Sequence, residues 1–369
     1  MAELLLKDFI VLDLATALQV VLLGFIGGVL SGFIGSGGAF FMTPGMMNLG
    51  VPGVIAVGSN ITHKFGKAMV GSKKHGELGN VDRKLGLCLI AVSFIGIRIA
   101  VWINSFLFGI EDAHGSGKGA AADLYISMVF VIILSVVGAS MLRDVLRTTR
   151  SDQGGPSRKL AEALARLRLK PEIYFPVADV RVSVWILIAV GLATGYLAGT
   201  IGVGGFIGVP AMIYLIGVPT AVATGTELFL AMFMGAFGAL NYVLEGYVDI
   251  RLTMLLYLGS LLGIYIGAYG TKVVKEVVIR LVTSLIILLC VISRAIAVPM
   301  YLRQLGWLAI DPKWDGFLNA ASKLMLMLAG ISGVLVILFN VVRAFRRQVV
   351  LHRRLAALAV DEDALDGRG

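Results

Sequence analysis

The sequence predicts an all-helical polytopic membrane protein made of two inverted repeats, whose glycine-led half-helices meet near the membrane midplane. Three observations predict it. Hydrophobic residues make up 58% of the 369 positions and charged ones 15%, with a mean hydropathy of +0.90, against an apolar share of about 45–50% in soluble domains. Gly24, Gly28, Gly32, Gly35, Gly37 and Gly38 recur as Gly191, Gly195, Gly199, Gly202, Gly204 and Gly205, a constant offset of 167 residues. Basic residues crowd beside the ends of apolar stretches, where they read as topology signals.

A helix needs roughly 20 apolar residues to cross a bilayer. Nine such stretches run near 14–34, 54–72, 85–106, 124–146, 183–201, 220–244, 252–271, 277–298 and 318–342, with two shorter pieces at 39–49 and 206–217. The chain therefore divides into a first repeat (1–150), a linker (151–181), a second repeat (182–298), a loop with one extra span (299–345) and a tail (346–369). The register extends past the glycines. Pro52 matches Pro219, Ala56-Val57-Gly58-Ser59-Asn60 matches Ala223-Thr224-Gly225-Thr226-Glu227, and Gly79-Asn80-Val81-Asp82 matches Gly246-Tyr247-Val248-Asp249. Long apolar repeats interrupted at matching places are the mark of a transporter built from two related halves.

The net charge of +9 points to no nucleic-acid partner, because its carriers flank spans. Cys88 and Cys290 lie in apolar spans and are not repeat equivalents, so they read as small buried side chains. The N-terminus mixes Glu3, Asp8 and Asp13 with Lys7 and lacks the basic start of a secretory signal, so the first span is expected to stay in the mature protein.

Loop charge sets the expected orientation. Arg143, Arg147, Arg150, Arg158, Lys159, Arg166, Arg168 and Lys170 in one connection, and Arg343, Arg346, Arg347, Arg353 and Arg354 in the tail, place both in the cytoplasm. Lys73, Lys74, Arg83 and Lys84 place a third connection there, whereas Glu111, Asp112 and Asp123 mark an external one. These assignments agree only if the short pieces count as crossings. Each repeat then has five, and an odd count turns the second repeat upside down. Residues 158–170 carry Leu160, Leu164 and Leu167 on one stripe among basic residues, the pattern of an amphipathic surface helix.

A dozen helical residues rise about 18 Å, short of the roughly 30 Å hydrocarbon core, so one end of each short piece lies at membrane depth. Irregular backbone survives there only when buried in protein or lining a cavity. Gly35-Ser36-Gly37-Gly38 and Gly202-Val203-Gly204-Gly205 supply such backbone, and Pro44 and Pro210 follow, as suits a first helical turn. Thr43 is placed to cap that turn. Two inward-pointing helix N-termini and their N–H groups form an anion site. The other glycines, at four-residue spacing, read as helix-packing positions.

The stretch 54–72 carries Ser59, Asn60, Thr62, His63, Lys64 and Lys67, too polar to face lipid. Asn60, His63 and Lys67 share a face, and ionisable groups inside a membrane are functional candidates. In the second repeat Thr224, Thr226 and Glu227 occupy the same turn. Glu227 is expected either to pair with Lys64 or Lys67 or to take a proton during the cycle. Arg98 and Arg294 lie within spans without repeat partners, as buried cations or span-end anchors.

At these residues the chain resembles the sulfite exporter family, the TauE/SafE group of bacterial inner-membrane transporters. The resemblance rests on Gly-x-Gly-Gly followed by proline in both repeats, the small polar turns at Ser59 and Thr226, and the Gly-x-Val-Asp ends at Asp82 and Asp249. It covers most of the chain. It implies export or exchange of small sulfur oxyanions and organosulfonates; the glycine clusters and polar turns read above place the expected substrate site at Gly35, Ser36, Gly37, Gly38, Ser59, Asn60, His63, Lys67, Gly202, Gly204, Gly205, Thr224, Thr226 and Glu227, with no cofactor implied. Where relatives often have a third glycine this chain has Ala39 and Phe206, and where they often have serine it has Asn60 and Glu227.

The reading is thus a multi-pass transporter of a small anion, working by alternating access in a lipid bilayer; a homo-oligomer is compatible with it. A proton- or cation-coupled carrier using Glu227 is the rival within transport. An intramembrane enzyme using His63 and Lys67 is the rival outside it, though no His-Glu-x-x-His or serine elbow supports one. A membrane scaffold would not need two membrane-depth glycine clusters. The orientation is testable by single-cysteine labelling in intact cells, in a background lacking Cys88 and Cys290. Residues 107–123 and 299–317 should label from the periplasm and 147–181 and the tail should not; periplasmic labelling at Ser157→Cys would overturn the inverted arrangement.

Overall fold

Short turns and long apolar runs leave the chain one economical solution, a bundle of helices with alternate ends joined. The computed structural model describes residues 10, 12–34, 38–110, 119–148, 163, 170–202, 204–274 and 276–366. Its helices are α1 (Leu14–Ile34), α2 (Ala39–Asn48), α3 (Gly53–Glu77), α4 (Arg83–Phe108), α5 (Ala120–Thr148), α6 (Val184–Ile201), α7 (Gly205–Ala211), α8 (Thr220–Leu244), α9 (Ile250–Val273), α10 (Glu276–Gln304) and α11 (Lys313–Asp366). Eight of them are long and apolar enough to cross a membrane. The ninth expected span, α3, is also 25 residues long but carries the polar residues of the site. Large apolar side chains such as Trp102, Ile132, Leu262, Leu335 and Phe339 are exposed on the outer faces, as lipid contact requires.

The offset of 167 residues relates contacts as well as letters. A Cβ placed on Gly24, Gly28 or Gly32 would strike the backbone of Leu256, Ser260 or Ile264 in α9. One placed on Gly191, Gly195 or Gly199 would meet Leu89, Ser93 or Ile97 in α4, the same positions one repeat earlier. Gly259, Gly263 and Gly267 return the contact from α9 to α1, and Gly96 does so from α4 to α6. Residue numbers rise together in both seams, so α1 runs parallel to α9 and α4 parallel to α6. Small residues on facing helices let two backbones touch, which supplies dispersion contact where no hydrophobic drive separates protein from lipid.

Each repeat also begins its fourth helix with the same cap. Asp82 Oδ1 accepts from Leu85 N at 3.0 Å, and Asp249 Oδ1 accepts from Arg251 N at 2.9 Å, satisfying N–H groups that a helix start leaves open. The backbone N–H of Asp82 donates to Thr226 Oγ1 at 3.0 Å and that of Asp249 donates to Ser59 Oγ at 3.1 Å. The second oxygens differ. Arg251 holds Asp249 Oδ2 at 2.9 Å, whereas Asp82 Oδ2 accepts from the backbone of Val177 and Ala178, both at 3.1 Å.

Those two residues form the tip of an antiparallel hairpin, β1 (Glu172–Phe175) and β2 (Val180–Ser183), in register from Glu172 opposite Ser183 to Phe175 opposite Val180. Lys84 Nζ donates to Tyr174 O at 2.8 Å and lies over the buried Phe175 ring. The end of the linker is therefore a hairpin docked on the first repeat, a feature that periodicity over so few residues does not reveal. The amphipathic reading of 158–170 lies outside the described residues except at Ala163 and Lys170.

The short pieces correct two expectations. Helix α2 starts at Ala39 and α7 at Gly205, so Pro44 and Pro210 are each the sixth residue rather than in the first turn, and Thr43 is inside α2 rather than capping it. Proline fixes φ near helical values and sacrifices one N–H bond, which a short helix tolerates. After Pro210 the chain widens into a π-turn, Met212–Ile216, ended by Gly217 at φ 86°. Both pieces fold back on the helix before them, since Gly38 abuts Gly27, Gly45 abuts Leu23, Gly204 abuts Ala198 and Gly208 abuts Thr194.

The far end of each short piece is tied to the fifth helix of the other repeat. Buried Arg294 of α10 donates to Asn48 at the end of α2, and to Ser322 Oγ of α11 at 3.1 Å; Tyr214 donates to Asp144 of α5 at 2.9 Å. Arg294 is thus a buried cation that anchors α2. Arg98 instead bonds Asn241 at 3.1 Å and pairs with half-exposed Glu245, an anchor at a span end. The seams make a direct test. Gly195→Ala would place a Cβ 2.1 Å from Ser93 O, an overpacking that costs about 1–3 kcal/mol and should lower the thermal midpoint in detergent. Gly76→Ala, with nothing within 4 Å, should leave it unchanged or raise it.

Candidate functional site

Helices α3 and α8 hold equivalent places and pack against one another, which brings Asn60 to the start of α2 and the end of α6, and Glu227 to Gly208 of α7. Asn60 is fully buried. Its Nδ2 donates to Thr43 Oγ1 at 2.8 Å and to Ala39 O at 3.2 Å, and Thr43 Oγ1 donates to Ile201 O at 3.2 Å. The first repeat thereby ties the start of α2 to the end of α6. Gly202 closes α6 with φ 75°, a left-handed geometry that costs other residues about 1 kcal/mol or more. A Cβ there would sit 3.3 Å from both Asn60 Nδ2 and Thr43 Oγ1.

The second repeat carries charge at the matching place. Lys64, one turn after Asn60 on α3, puts its Nζ 3.3 Å from where a Cβ on Gly204 would stand; Glu227 puts Oε2 2.1 Å from the same position on Gly208. Cation and carboxyl thus lie against one face of α7, a turn or about 6 Å apart along its axis. Lys64 is 8% exposed and Glu227 2%. The pairing expected between them is not made: no ion pair forms within 4 Å, and neither Glu227 oxygen has a hydrogen-bond partner. Each side chain packs into its own glycine notch, which holds the two heads apart.

Three more polar atoms lack partners in this neighbourhood or beside it. Asn60 Oδ1, Thr194 Oγ1 and Thr200 Oγ1 are buried without hydrogen bonds. A buried polar group left unpaired costs about 1–3 kcal/mol, and native proteins leave few. Asn60 Oδ1 and both Glu227 oxygens lie beside Gly202 and Gly208, with the Lys64 ammonium at Gly204 between them.

The other expected site residues fall in several places. Ser59 and Thr226 hold the Asp249 and Asp82 backbones described above. Thr224 donates to Thr220 O of its own helix at 2.9 Å. His63 Nε2 lies 2.7 Å from Ser260 Oγ and its ring 4.6 Å from that of Tyr257, so it faces α9. Lys67 Nζ donates to Ser31 Oγ of α1 at 3.4 Å. Gly205 opens α7, Gly38 packs on Gly27, and Gly35, Ser36 and Gly37 lie outside the described residues. Lys64, Thr43, Thr194 and Gly208 were not among the predicted site residues. Lys64 was within reach, because positions 60, 64 and 67 form as good a helical stripe as 60, 63 and 67; Thr194 and Gly208 carry no local signal.

The chain matches the family model described as "Sulfite exporter TauE/SafE" over residues 20–294. It belongs to that family. It is 24% identical over 264 residues to "Probable membrane transporter protein YdhB" of Bacillus subtilis, covering 71% of this chain and 93% of the relative. A second Bacillus subtilis relative, "Probable membrane transporter protein YunE", is 23% identical over 278 residues, covering 73% and 93%. A "Probable membrane transporter protein" of Xylella fastidiosa is 26% identical over 176 residues, covering 46% of this chain and 58% of its own length. No solved structure matches. The TauE/SafE protein described here is therefore a multi-pass membrane transporter, and its family match spans both repeats and the site between them.

Proposed function

We propose that this TauE/SafE protein exports a small sulfur-containing anion, sulfite or an organosulfonate, across a bacterial inner membrane by alternating access. One observation carries the reading: a buried ammonium, Lys64, stands at the Gly204 start of α7 with Glu227 a helical turn away and not ion-paired to it. A buried charge without a close ion pair is costly, and an anion at Lys64 would also meet backbone N–H groups at the start of α7. Asn60, Thr43 and Gly202 flank the same place. Supporting the alternation, the parallel seams of α1 with α9 and α4 with α6 fit two repeats that enter the bilayer in opposite senses. Each short helix is then held by one repeat and anchored by the other, so that rocking one repeat against the other exposes the site to alternate sides.

Direction follows from charge. An inside-negative potential drives an anion outward by about 2.3 kcal/mol per charge per 100 mV. In proteoliposomes loaded with labelled sulfite, efflux should rise with an imposed potential. Lys64→Gln should cut it at least tenfold, about 1.4 kcal/mol, and Gly204→Val, which displaces Lys64, should do the same, while both variants still insert. Lys67→Gln, which removes a cation held at Ser31, should weaken apparent affinity less. Normal efflux by Lys64→Gln would overturn the site.

A further inference from the structure

We propose that Glu227 is a proton-binding site that moves one proton with each anion, in the same direction. The proposal rests on the anion reading and assigns Glu227 a task that reading leaves open. Glu227 is 2% exposed, its two oxygens have no hydrogen-bond partner, and it lies one helical turn along α7 from Lys64. The charge that acts on it is Lys64 of α3, which also acts on Lys67, as Lys67 does on His63; Gly208 of α7 and Thr194 of α6 lie beside its carboxyl. Its counterpart Asn60 is a neutral amide at the equivalent turn, and a carboxylic acid is the neutral group of nearest shape.

Electrostatics couples the two ligands. An anion at Lys64 and an ionised carboxyl about 6 Å away repel strongly in a medium of low dielectric, so the loaded site holds the anion, the Lys64 ammonium and the carboxylic acid. The empty site holds the ammonium and the carboxylate. With a monovalent anion both states are neutral, and neutrality is what lets either one reorient across the membrane core. The proton arrives from water on the side where the anion binds and leaves to water where it is released. Proton binding and anion binding therefore strengthen one another by the same factor. For divalent sulfite the loaded site carries one net negative charge, so the potential drives its export, whereas a monovalent sulfonate moves down the combined anion and proton concentration gradients.

Methanesulfonate is the probe, because it stays ionised at every working pH. The full-length protein is reconstituted in phosphatidylcholine–phosphatidylglycerol liposomes that enclose a pH-indicator dye. Methanesulfonate entry should acidify the lumen, and a pH gradient alone should drive about tenfold accumulation per pH unit. Any flux remaining in Glu227→Gln should ignore the pH gradient, and Glu227→Asp should restore the response. Accumulation by Glu227→Gln equal to wild type, or methanesulfonate movement without protons, would overturn the proposal. Infrared difference spectroscopy separates this from failure of the anion reading. A carboxylic-acid band that titrates in the wild type, moves in Glu227→Asp and vanishes in Glu227→Gln is expected, whether or not methanesulfonate is transported. Its absence from wild type that melts normally would overturn the proton site.

Discussion

Backbone-to-backbone contact along two glycine seams is the constraint on which the rest of the molecule depends. In lipid, helices gain little by hiding apolar side chains from one another, so association relies on close packing. The α1–α9 and α4–α6 seams bring main chains together every four residues, and each joins one repeat to the other. With those four helices locked, the ends of α1 and α6 are fixed relative to α3 and α8. The short helices can then turn back with Gly38 and Gly204 buried in protein, the condition that irregular backbone inside a bilayer would need.

The symmetry that the seams impose makes the departures from it informative. Thr226 and Ser59 perform the same bond to the backbone of Asp82 and Asp249, so the two loops are equivalent in construction. Their carboxylates are satisfied differently, by a hairpin from the linker on one side and by Arg251 on the other. The same contrast holds at the centre. Asn60 is bonded into the start of α2, whereas Glu227 faces Gly208 with no donor. A pseudo-symmetric frame thus presents a neutral, well-bonded half-site and a charged, unsatisfied one, and the anion and proton chemistry proposed for this protein resides in that difference.

Lys64 shows how a sequence pattern can mark a polar helix without saying where each of its residues points. The polar composition of α3 marked it as functional, but His63, Lys64 and Lys67 point to α9, to α7 and to α1 respectively. Only the neighbours of α3 distinguish those directions. The prolines misled for a related reason. Proline is favoured in a first turn, yet here the glycines themselves begin the helix, and Pro44 and Pro210 sit a turn further on. The hairpin at 172–183 escaped because two four-residue strands in a basic linker carry too little periodicity to register.

By itself the sequence determined that the chain is an apolar helical bundle, that it is doubled with an offset of 167 residues, and where its spans and short pieces lie. Those properties are one-dimensional: span length, hydropathy and repeated spacing survive without knowledge of any neighbour. The tertiary structure decided which helices form the seams, which of three adjacent polar residues reaches the glycine starts, and that Glu227 and Lys64 occupy separate notches instead of pairing. Each of those depends on distances between residues more than a hundred positions apart, set by how closely two backbones approach, and no local pattern encodes that distance.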